Sequence, residues 1–433
     1  MSEEQNVTST PIGGFVHDSM ISFGADVNMK RQLPLVYDGL KPVYRRVIYT
    51  MLRQGDRMMK TASIVGNCIA TVHPHGSASV EQPVSNLVNW GIAEGQGNHG
   101  QKMLIGEDAE RSAARYTEAK ISKKYFNIFN ELMPYVPYDP AEMAGFDEPR
   151  YLPTPVPLCL TFGTLGIGVG VNTRVPSFTV KSMMKALLKD NPKYLKAPFG
   201  MHIVPEKSDL DSLWNTGIGK VTYSYNVYQG ESAGGYGTYI EGEAEIFKPR
   251  LSDFDEAVDL GRVYINDETD ETGSRVFIGR NFNVKAISYD DIFDMAQKAA
   301  VETKTYRLTV TDGNNVYLVP LRSWLKSTYD SYVETINKYK SDKMAKYQFE
   351  YKVYDHLHEV AQYQFDHRDA DDDEIAKKLK LDKDIVSSIL SKNLRTLRNS
   401  DSGKDKLKGI KERIDFFTNL NPTDKIDEII NEF

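Results

Sequence analysis

The chain has 433 residues, 40% hydrophobic and 26% charged, enough for about two to four domains with cores of their own. Its formal net charge is −7, and its two cysteines, Cys68 and Cys159, supply neither a disulfide framework nor a cysteine-based metal site. There is no apolar run of about 18 residues and no signal-peptide pattern, so we exclude a membrane or secreted protein and expect a cytoplasmic one.

The charge is distributed unevenly along the chain. Between Met29 and Lys124 there are 14 lysines and arginines against 8 aspartates and glutamates, whereas residues 369–374 are densely acidic. A basic segment in an acidic chain is typical of a protein that binds a polyanion with one region. The alternative is that each basic cluster is an ordinary solvated helix face. The acidic run lacks the glycine and terminal glutamate of a calcium-binding loop.

The first part of the chain predicts an arm followed by helices. Residues 1–28 are polar with little periodicity, which indicates an N-terminal arm. Helices are then predicted at 43–53, at 61–72 and from about Ser77 onward, the last after the turn His73-Pro74-His75-Gly76. Two short helices joined by a tight turn are the arrangement of a helix-turn-helix module. Pro83 lies inside the third helix, which we therefore expect to kink or to begin later.

The middle of the chain predicts a second, mixed α/β domain. Residues 151–180 are rich in proline and glycine, which favours strands and loops at a junction. From about 183 to 317 helical and β-type segments alternate, with strands predicted at 221–228 and 237–247.

The last hundred residues are predicted to be helical. Two apolar seams have heptad spacing: Leu325, Tyr329, Tyr332, Ile336 and Tyr339, and then Leu407, Ile410, Ile414 and Phe417. Such seams, separated by further helix, indicate an antiparallel coiled coil with a small globular tip. Ordinary amphipathic core helices are the alternative.

The sequence lacks several common catalytic and metal-binding motifs, and a few candidate catalytic residues remain. No phosphate-binding GxxxxGK[ST] loop and no HExxH zinc motif occurs, and His73 and His75 have no nearby histidine or cysteine to complete a metal site, so we predict none. What remains is Arg115-Tyr116, which follows a glycine-rich loop at 94–100.

A tyrosine needs assistance to attack a phosphodiester. Its ordinary pKa is about 10, so a base or cation must aid deprotonation, and cations must neutralise the phosphate in the transition state. Arg115, Arg45 and His75 have the required chemistry. On this ground alone Tyr116 is not singled out, because it is one of 25 tyrosines.

Six motifs together resemble one family in their order and spacing. They are LPLVYDGLKPVYRRVIYTM at 33–51, HPHG at 73–76, EGQGNHG at 94–100, AARYTE at 113–118, GTLGIGVGVNTRVPSF at 163–178 and TGIGKV at 216–221. This combination is similar to the breakage-reunion (gyrase A-like) subunit of type IIA DNA topoisomerases. Within that family the chain looks most like the medium subunit of T4-type bacteriophage topoisomerases, in which the enzyme is split over separate polypeptides.

The resemblance implies an α/β multidomain fold. After the arm at 1–28 it places a winged-helix DNA-cleavage domain at 29–145 and a mixed α/β tower domain at 150–324. An antiparallel coiled coil would be formed by 325–352 and 405–433, and a small helical primary dimer (exit) gate by 353–404.

The resemblance also implies roles for individual residues. Tyr116 matches the tyrosine that attacks DNA and remains joined to the 5′ phosphate, and Arg115 would bind the scissile phosphate. Arg45 matches the transition-state arginine, and His75 the histidine near the attacked phosphate. Further DNA contacts are expected from Lys41, Arg46, His73 and Lys220, and from Ile167, which matches an isoleucine inserted between base pairs.

The same resemblance implies partners. The sequence shows no magnesium-binding motif of the TOPRIM type and no ATPase motif, and we expect no DNA-wrapping domain after residue 433. We therefore expect a homodimer, within a hetero-oligomer, that acts on double-stranded DNA with a partner that binds most of the Mg²⁺ and hydrolyses the ATP. Relaxation and decatenation are expected rather than supercoiling by wrapping, in the host bacterial cytoplasm if the chain is phage-encoded.

Two other classes of function stay open. One is an architectural DNA-binding protein of the same fold without chemistry, and the other is a DNA-hydrolysing nuclease. Two departures from the family pattern also matter, because Tyr37 and Ile218 stand where many members have arginine.

A first prediction concerns quinolone drugs. Ala78 and Gln82 stand where bacterial gyrases commonly have the serine and the acid used in quinolone binding. We expect little stimulation of DNA cleavage when a quinolone is titrated into the assembled enzyme, with a bacterial gyrase as the control. Potent stimulation at doses that act on gyrase would contradict this.

Overall fold

The computed structural model describes residues 12–242, 248–269, 274–281, 287–392 and 400–421. The described residues form helices and antiparallel sheets, which confirms the α/β class. They divide into two compact units, one ending at Tyr332 and the other beginning at Val333.

Ten α-helices of the described residues lie wholly in the first unit. In chain order, α1 to α10 are Ile12–Val27, Pro42–Arg53, Thr61–Thr71, Ala78–Asn89, Lys123–Leu132, Cys159–Phe162, Val180–Lys189, Leu210–Thr216, Asp255–Asp259 and Tyr289–Ala299. A π-helical turn, Asn28–Gln32, follows α1 directly.

The strands of this unit form five described sheets. In chain order, β1 to β16 are Met59–Lys60, Ala93–Gln96, Glu118–Ile121, Tyr138–Pro140, Asp147–Pro149, Thr164–Ile167, Asn172–Val175, His202–Ile203, Ile218–Ser224, Asn226–Ser232, Gly235–Glu241, Val263–Asp267, Arg275–Arg280, Val301–Arg307, Thr309–Thr311 and Val316–Leu318. The sheet orders are β1-β3-β2, β10-β11-β13-β12, β6-β7-β14-β9-β8, β15-β16 and β4-β5.

Helices α2, α3 and α4 pack together beside the sheet β1-β3-β2. Helix α2 begins with Pro42 in its first turn, where the missing N–H costs no intrahelical bond, and buries Val47, Ile48 and Met51. The predicted helices are confirmed to within a residue or two. The prediction of a later start for the third was wrong, because α4 runs from Ala78 to Asn89 with Pro83 inside it.

The N-terminal arm contains a helix that was not predicted from the sequence. Helix α1 exposes almost every side chain, and Gly24 is its one buried residue. Its apolar residues nevertheless recur at helical spacing, so the expectation of little periodicity was wrong: Ile12, Phe15, Val16, Met20 and Phe23.

The predicted strand at 221–228 is divided into β9 and β10 at Tyr225, whose ring is buried. The predicted strand at 237–247 corresponds to β11, which begins at Gly235 and ends at Glu241. Residues 243–247 of that prediction lie outside the described residues.

The second unit contains most of a long helix and four more. Helix α11, Leu321–Asp355, extends into it, followed by α12 to α15, which are Leu357–Asp366, Asp372–Leu379, Lys383–Leu390 and Ser400–Asn419. The three short helices α12, α13 and α14 enclose an apolar core that includes Val360, Ile375, Val386 and Ile389.

Helices α11 and α15 contact each other with antiparallel order. Tyr339 and Tyr347 both pack against Phe417, and Lys340 donates hydrogen bonds to the carbonyls of Thr418 and Leu420. Further along α11, the ring of Tyr354 meets the Lys406 ammonium.

The buried segment 33–40 runs through the centre of the first unit. The N–H of Val36 donates to Thr311, and the Val36 carbonyl accepts hydrogen bonds from Trp324 Nε1 and Thr328 Oγ1, both at 2.9 Å. At its end, Gly39 has φ +72°, and a Cβ there would lie 2.7 Å from Cβ of Pro157. The segment can make this turn because residue 39 is glycine.

We predict that Gly39→Ala is strongly destabilising, by about 3 kcal/mol or more, since it combines left-handed strain with a clash against the 157–158 backbone. The matched control is Gly55→Ala, which has φ +80° but nothing within 4 Å of the added Cβ and should cost only about 1–2 kcal/mol. Urea unfolding of both variants measures the difference. Equal losses would show that the close approach at Pro157 contributes nothing.

Candidate active site and nucleic-acid interface

Helix α2 carries two adjacent arginines with different partners. Arg45 forms a two-pronged ion pair with Asp38, with Nε 2.6 Å from Oδ2 and Nη2 3.0 Å from Oδ1. Asp38 is completely buried, and its carboxylate also accepts the backbone N–H groups of Leu40 and Leu152. Arg45 is thereby held in one position, with its guanidinium almost entirely covered.

Arg46 lies at the centre of a second, larger network. Its guanidinium donates to both oxygens of Glu148, at 2.6 and 2.8 Å, and to Glu142 at 2.9 Å. The fourth bond, 2.9 Å long, goes from Nη1 to Nδ1 of His73. Glu142 also lies 3.3 Å from Nε2 of His75. The connection between β4 and β5 supplies Glu142, and β5 supplies Glu148.

The Arg46 network fixes the protonation of His73. Because a guanidinium can only donate, Nδ1 of His73 must carry the lone pair, and Nε2 faces Ser79 Oγ at 3.3 Å. Burial, together with the positive charge of Arg46, lowers the pKa of His73 to about 4. His73 is therefore neutral at physiological pH.

The Glu142 carboxylate remains charged in this network. Burial opposes ionisation of Glu142, but Arg46 and the two histidines outweigh it and lower the pKa of that carboxyl. Burial likewise acts against the charged form of Arg46, yet Glu148 and Glu142 raise its pKa. Arg46, Glu142 and Glu148 thus form a part-buried cluster of one guanidinium and two carboxylates beneath the His73-Pro74-His75-Gly76 turn.

Tyr116 lies on an exposed loop that is anchored at both sides. Its side chain is 64% exposed, and the Arg115 guanidinium lies 4.5 Å from the centre of its ring. The loop is tied to the start of α3 by backbone bonds from Thr61 to Thr117 and from Ala62 to Ala114, and by a bond between the two threonine hydroxyls. The nucleophile candidate is thus accessible while the backbone beneath it is fixed.

The hairpin β6–β7 carries Ile167 at its end. Ile167 is 70% exposed, and Leu165 and Val169 on either side are half exposed. Lys41 Nζ donates to the Leu165 carbonyl at 2.9 Å, and burial lowers the pKa of Lys41. Lys220 is an exposed residue of β9, opposite Thr305 in the register.

The structure brings together only some of the predicted site residues. Arg46, His73 and His75 share one network, Arg115 stacks on Tyr116, and Lys41 contacts the Ile167 hairpin. Within the part of the chain that the structure describes, no hydrogen bond or ion pair joins Tyr116 to Arg45 or His75. Their chemical roles stay predictions.

Sequence reasoning missed the three carboxylates that hold the arginines: Asp38, Glu142 and Glu148. Asp38 lies in the first of the six motifs, and its spacing of seven from Arg45 gave no signal because the two are joined through a turn. The glutamates lie about a hundred residues from Arg46, beyond the reach of any local pattern.

A hard cation does not fit this cluster, because the carboxylates of Glu142 and Glu148 are already engaged by hydrogen bonds to Arg46. Over the described ranges, no group of three or more His, Cys, Asp or Glu side chains has an arrangement that could hold a metal ion. Both cysteines are buried and free, and burial raises the pKa of the Cys68 thiol to about 11. Among the described helices, none has the length and apolar character required to cross a membrane.

Comparison with known proteins matches almost the whole chain to one family. The model of the family described as the A subunit of DNA gyrase/topoisomerase IV matches residues 31–433. The chain is 32% identical over 243 residues to the A subunit of DNA topoisomerase 4 from Haemophilus influenzae, which covers 50% of this chain and 32% of the relative. It is 29% identical over 311 residues to the A subunit of DNA gyrase from Helicobacter pylori strain J99, covering 64% of this chain and 36% of the relative. The matched part therefore spans about a third of each relative.

We predict that His73 makes the folded state sensitive to mild acid. Its folded pKa of about 4 is below the ordinary value of 6.5, so the unfolded chain binds the proton first and stability falls as pH drops from 6.5 toward 4. At pH 5 this amounts to a loss of about 2 kcal/mol relative to pH 7.5.

Urea unfolding at pH 7.5 and pH 5 checks this in the wild type and in His73→Gln. The variant starts less stable but should lose about 2 kcal/mol less between the two pH values. His202→Gln, at an exposed histidine of β8, is the control. The same acid-induced loss in His73→Gln and the wild type would refute the assignment.

Proposed function

Since the chain belongs to the family of DNA gyrase and topoisomerase IV A subunits, we propose that it is the DNA-cleaving and resealing subunit of a type IIA topoisomerase. Tyr116 is the nucleophile in this proposal. The observation that carries it is the exposed Tyr116 ring with the Arg115 guanidinium stacked on it, on a loop fixed to α3.

In the proposed reaction, Tyr116 Oη attacks a backbone phosphorus and displaces the 3′ oxygen. One P–O bond forms and one breaks, the tyrosine proton passes to the leaving oxygen through the surroundings, and the DNA 5′ end remains joined to the protein. Reversal of the same step reseals the strand. Because the tyrosyl ester keeps the phosphodiester bond energy, resealing consumes no ATP.

Arginine and histidine side chains are proposed to support this step. Arg115 neutralises the attacked phosphate, and its position beside the ring supports that role. Arg45 uses Nε and Nη2 for Asp38, so we assign a phosphate contact to Nη1, which makes no hydrogen bond to the described residues on a side chain that is 9% exposed. His75, at the rim of the Arg46 network, is half-buried and reaches solvent.

The other predicted DNA contacts differ in how the structure supports them. Ile167 and Lys220 are exposed and accessible. Arg46 and His73 are buried in their network, so in this conformation they support the turn that carries His75 rather than a phosphate. We propose that they act on DNA by positioning that turn.

The domain assignment of the type IIA family is part of the proposal. Helices α2 to α4 with the sheet β1-β3-β2 are assigned as the winged-helix domain, and the sheets between Tyr151 and Leu318 as the tower. The antiparallel contacts of α11 with α15 support the coiled coil, and the core of α12 to α14 supports the small gate at its end.

We further propose that two copies of the chain act with a partner that carries ATPase and TOPRIM modules, as in the medium subunits of T4-type phages. Mg²⁺ and ATP would be bound by that partner, because the carboxylates of this chain's cluster are committed to Arg46. The assembly would relax and decatenate double-stranded DNA in the cytoplasm, with one duplex passing through the break in another.

The test is trapping of a covalent adduct between this chain and DNA. The chain is incubated with plasmid, Mg²⁺ and an ATPase/TOPRIM partner and stopped with detergent, for the wild type, Tyr116→Phe and the control Tyr236→Phe. Tyr236 is also an exposed tyrosine, at 42%, but lies in β11. We expect an adduct in the wild type and control and a loss of at least about a thousandfold in Tyr116→Phe.

Other outcomes identify the alternatives. An adduct that persists in Tyr116→Phe would move the nucleophile to another residue. DNA binding with neither adduct nor cleavage would favour an architectural protein. Cleavage without any protein-linked 5′ end would indicate a nuclease.

A further inference from the structure

The tip of the hairpin β6–β7 is held by groups outside the hairpin. Ile167, the last residue of β6, pairs with Asn172, the first residue of β7, and the four residues between them form the tip. The tip is closed by a bond from Gly168 N–H to the Val171 carbonyl. The hairpin is the edge of the five-stranded sheet and is joined to β14 through Arg174 opposite Arg307, but the four tip residues lie beyond that pairing. An exposed side chain at the tip therefore requires support from outside the sheet to resist force.

Asn28 supplies that support through two hydrogen bonds to one residue. Its Nδ2 donates to the Val169 carbonyl at 3.0 Å, and its Oδ1 accepts the Val169 N–H at 2.8 Å. The side-chain amide therefore pairs with the tip as a neighbouring strand would. Asn28 is buried, and it is the first residue of the π-helical turn that follows α1. Turns of this type occur frequently at functional sites.

Two glycines let the hairpin approach this turn closely. A Cβ on Gly166 would lie 2.2 Å from the Gln32 carbonyl oxygen, and one on Gly168 would lie 2.0 Å from Asn28 Oδ1. Both positions therefore need a residue without a side chain. Lys41 Nζ donates a hydrogen bond to the Leu165 carbonyl in β6, so the hairpin is held both along this strand and at its tip.

Helix α1 also contacts the tip. A Cβ on Gly24 would lie 3.1 Å from the Val169 side chain, so the helix backbone rests against Val169. Asn28 is located just before the residues that the family model matches, which begin at 31. Its contacts are thus a feature of this chain beyond the matched region.

From this geometry we propose that Asn28 is a positioning residue that clamps the hairpin tip so that Ile167 can enter and unstack a DNA base step. The inference rests on the proposed function. Unstacking a step costs a few kcal/mol, and a wedge can deliver that force only if its base does not yield. The clamp acts on the backbone two residues from Ile167 and leaves the Ile167 side chain exposed.

The experiment measures DNA bending separately from cleavage. A short duplex with a fluorophore at each end is mixed with the full chain and its ATPase/TOPRIM partner, in a Tyr116→Phe background that does not cut. Energy transfer between the fluorophores reports bending. We expect Asn28→Ala to reduce the equilibrium constant for bending about tenfold, because two hydrogen bonds to the tip are lost, and we expect a loss of similar size in Ile167→Ala.

A duplex with a one-nucleotide gap at the wedge step separates positioning from general damage. The gap removes the stacking that Ile167 must overcome. On this duplex the equilibrium constant for bending of Asn28→Ala should therefore lie within about twofold of that of the parent chain. A defect of equal size on gapped and intact DNA would mean that Asn28 only supports the fold, and would overturn the proposal.

Gly168→Ala tests the clamp from the other side. Its Cβ would collide with Asn28 Oδ1, so this variant should also lose bending by about tenfold. In the double variant Asn28→Ala/Gly168→Ala the Asn28 amide that Cβ of residue 168 would meet is absent. The double variant should therefore bend DNA as well as Asn28→Ala alone. Additive losses would reject the clamp.

The two proposals fail differently. An adduct at Tyr116 together with normal bending by Asn28→Ala rejects the clamp and leaves the cleavage function intact. Absence of any adduct in the wild type rejects the proposed function, and the role of Asn28 with it.

Discussion

The ion pair between Asp38 and Arg45 is the interaction on which the rest of the site depends. Asp38 is fully buried and accepts four hydrogen bonds, two from Arg45 and two from backbone N–H groups at Leu40 and Leu152. A buried carboxylate without these donors would be strongly unfavourable, so the charge is tolerated only in this geometry. It fixes the start of α2 against the segment that follows residue 150. Arg45 takes its position from that contact directly, and Lys41 and Arg46 flank it on the same anchored helix start.

The consequences extend along segment 33–40. Val36 is bonded to β15 and to the first turns of α11, and Gly39 lies against Pro157. The segment that precedes it, the π-helical turn, holds the Ile167 hairpin, and α2, which follows, holds the His73–His75 turn through Arg46. One buried turn, closed by backbone bonds between Leu35 and residues 39 and 40, therefore links the Ile167 hairpin and the histidine turn. Substitution at its centre would disturb both by moving their common support, even though neither would lose a direct contact.

The sequence could predict the elements whose evidence is local. The helices near 43–53, 61–72 and 78–89 follow from apolar spacing, the proline at position 42 and the break at His73-Pro74-His75-Gly76. Helix α1 was missed although its apolar residues have helical spacing. The continuation of α4 through Pro83 shows that its packing on α2 and α3 outweighs one missing hydrogen bond. The pairing of Arg46 with Glu148 and of Asn28 with Val169 joins residues more than a hundred positions apart. Such contacts arise from the tertiary fold and leave no pattern in one sequence.

Ion pairs within the protein reduce the positive charge that the basic segment offers to DNA. The composition of residues 29–124 indicates a surplus of positive charge, yet several of these cations are neutralised within the protein: Arg45 by Asp38, Arg46 by Glu142 and Glu148, Lys60 by Glu118, Arg111 by Glu81, and Lys120 by Asp56. Cations already paired release no DNA counterions, so the number of basic residues overstates the electrostatic part of binding. What protrudes from the site is instead an aromatic ring and an aliphatic wedge, Tyr116 and Ile167. Recognition of DNA by such a surface depends on how readily the duplex deforms, because a wedge gains contact only where base pairs can be unstacked. The Tyr116 loop is fixed by backbone hydrogen bonds to the start of α3, and the Ile167 hairpin by Asn28 and Lys41. The buried pairs of Arg45 and Arg46 instead fix α2 and the histidine turn, so these two charges serve the scaffold.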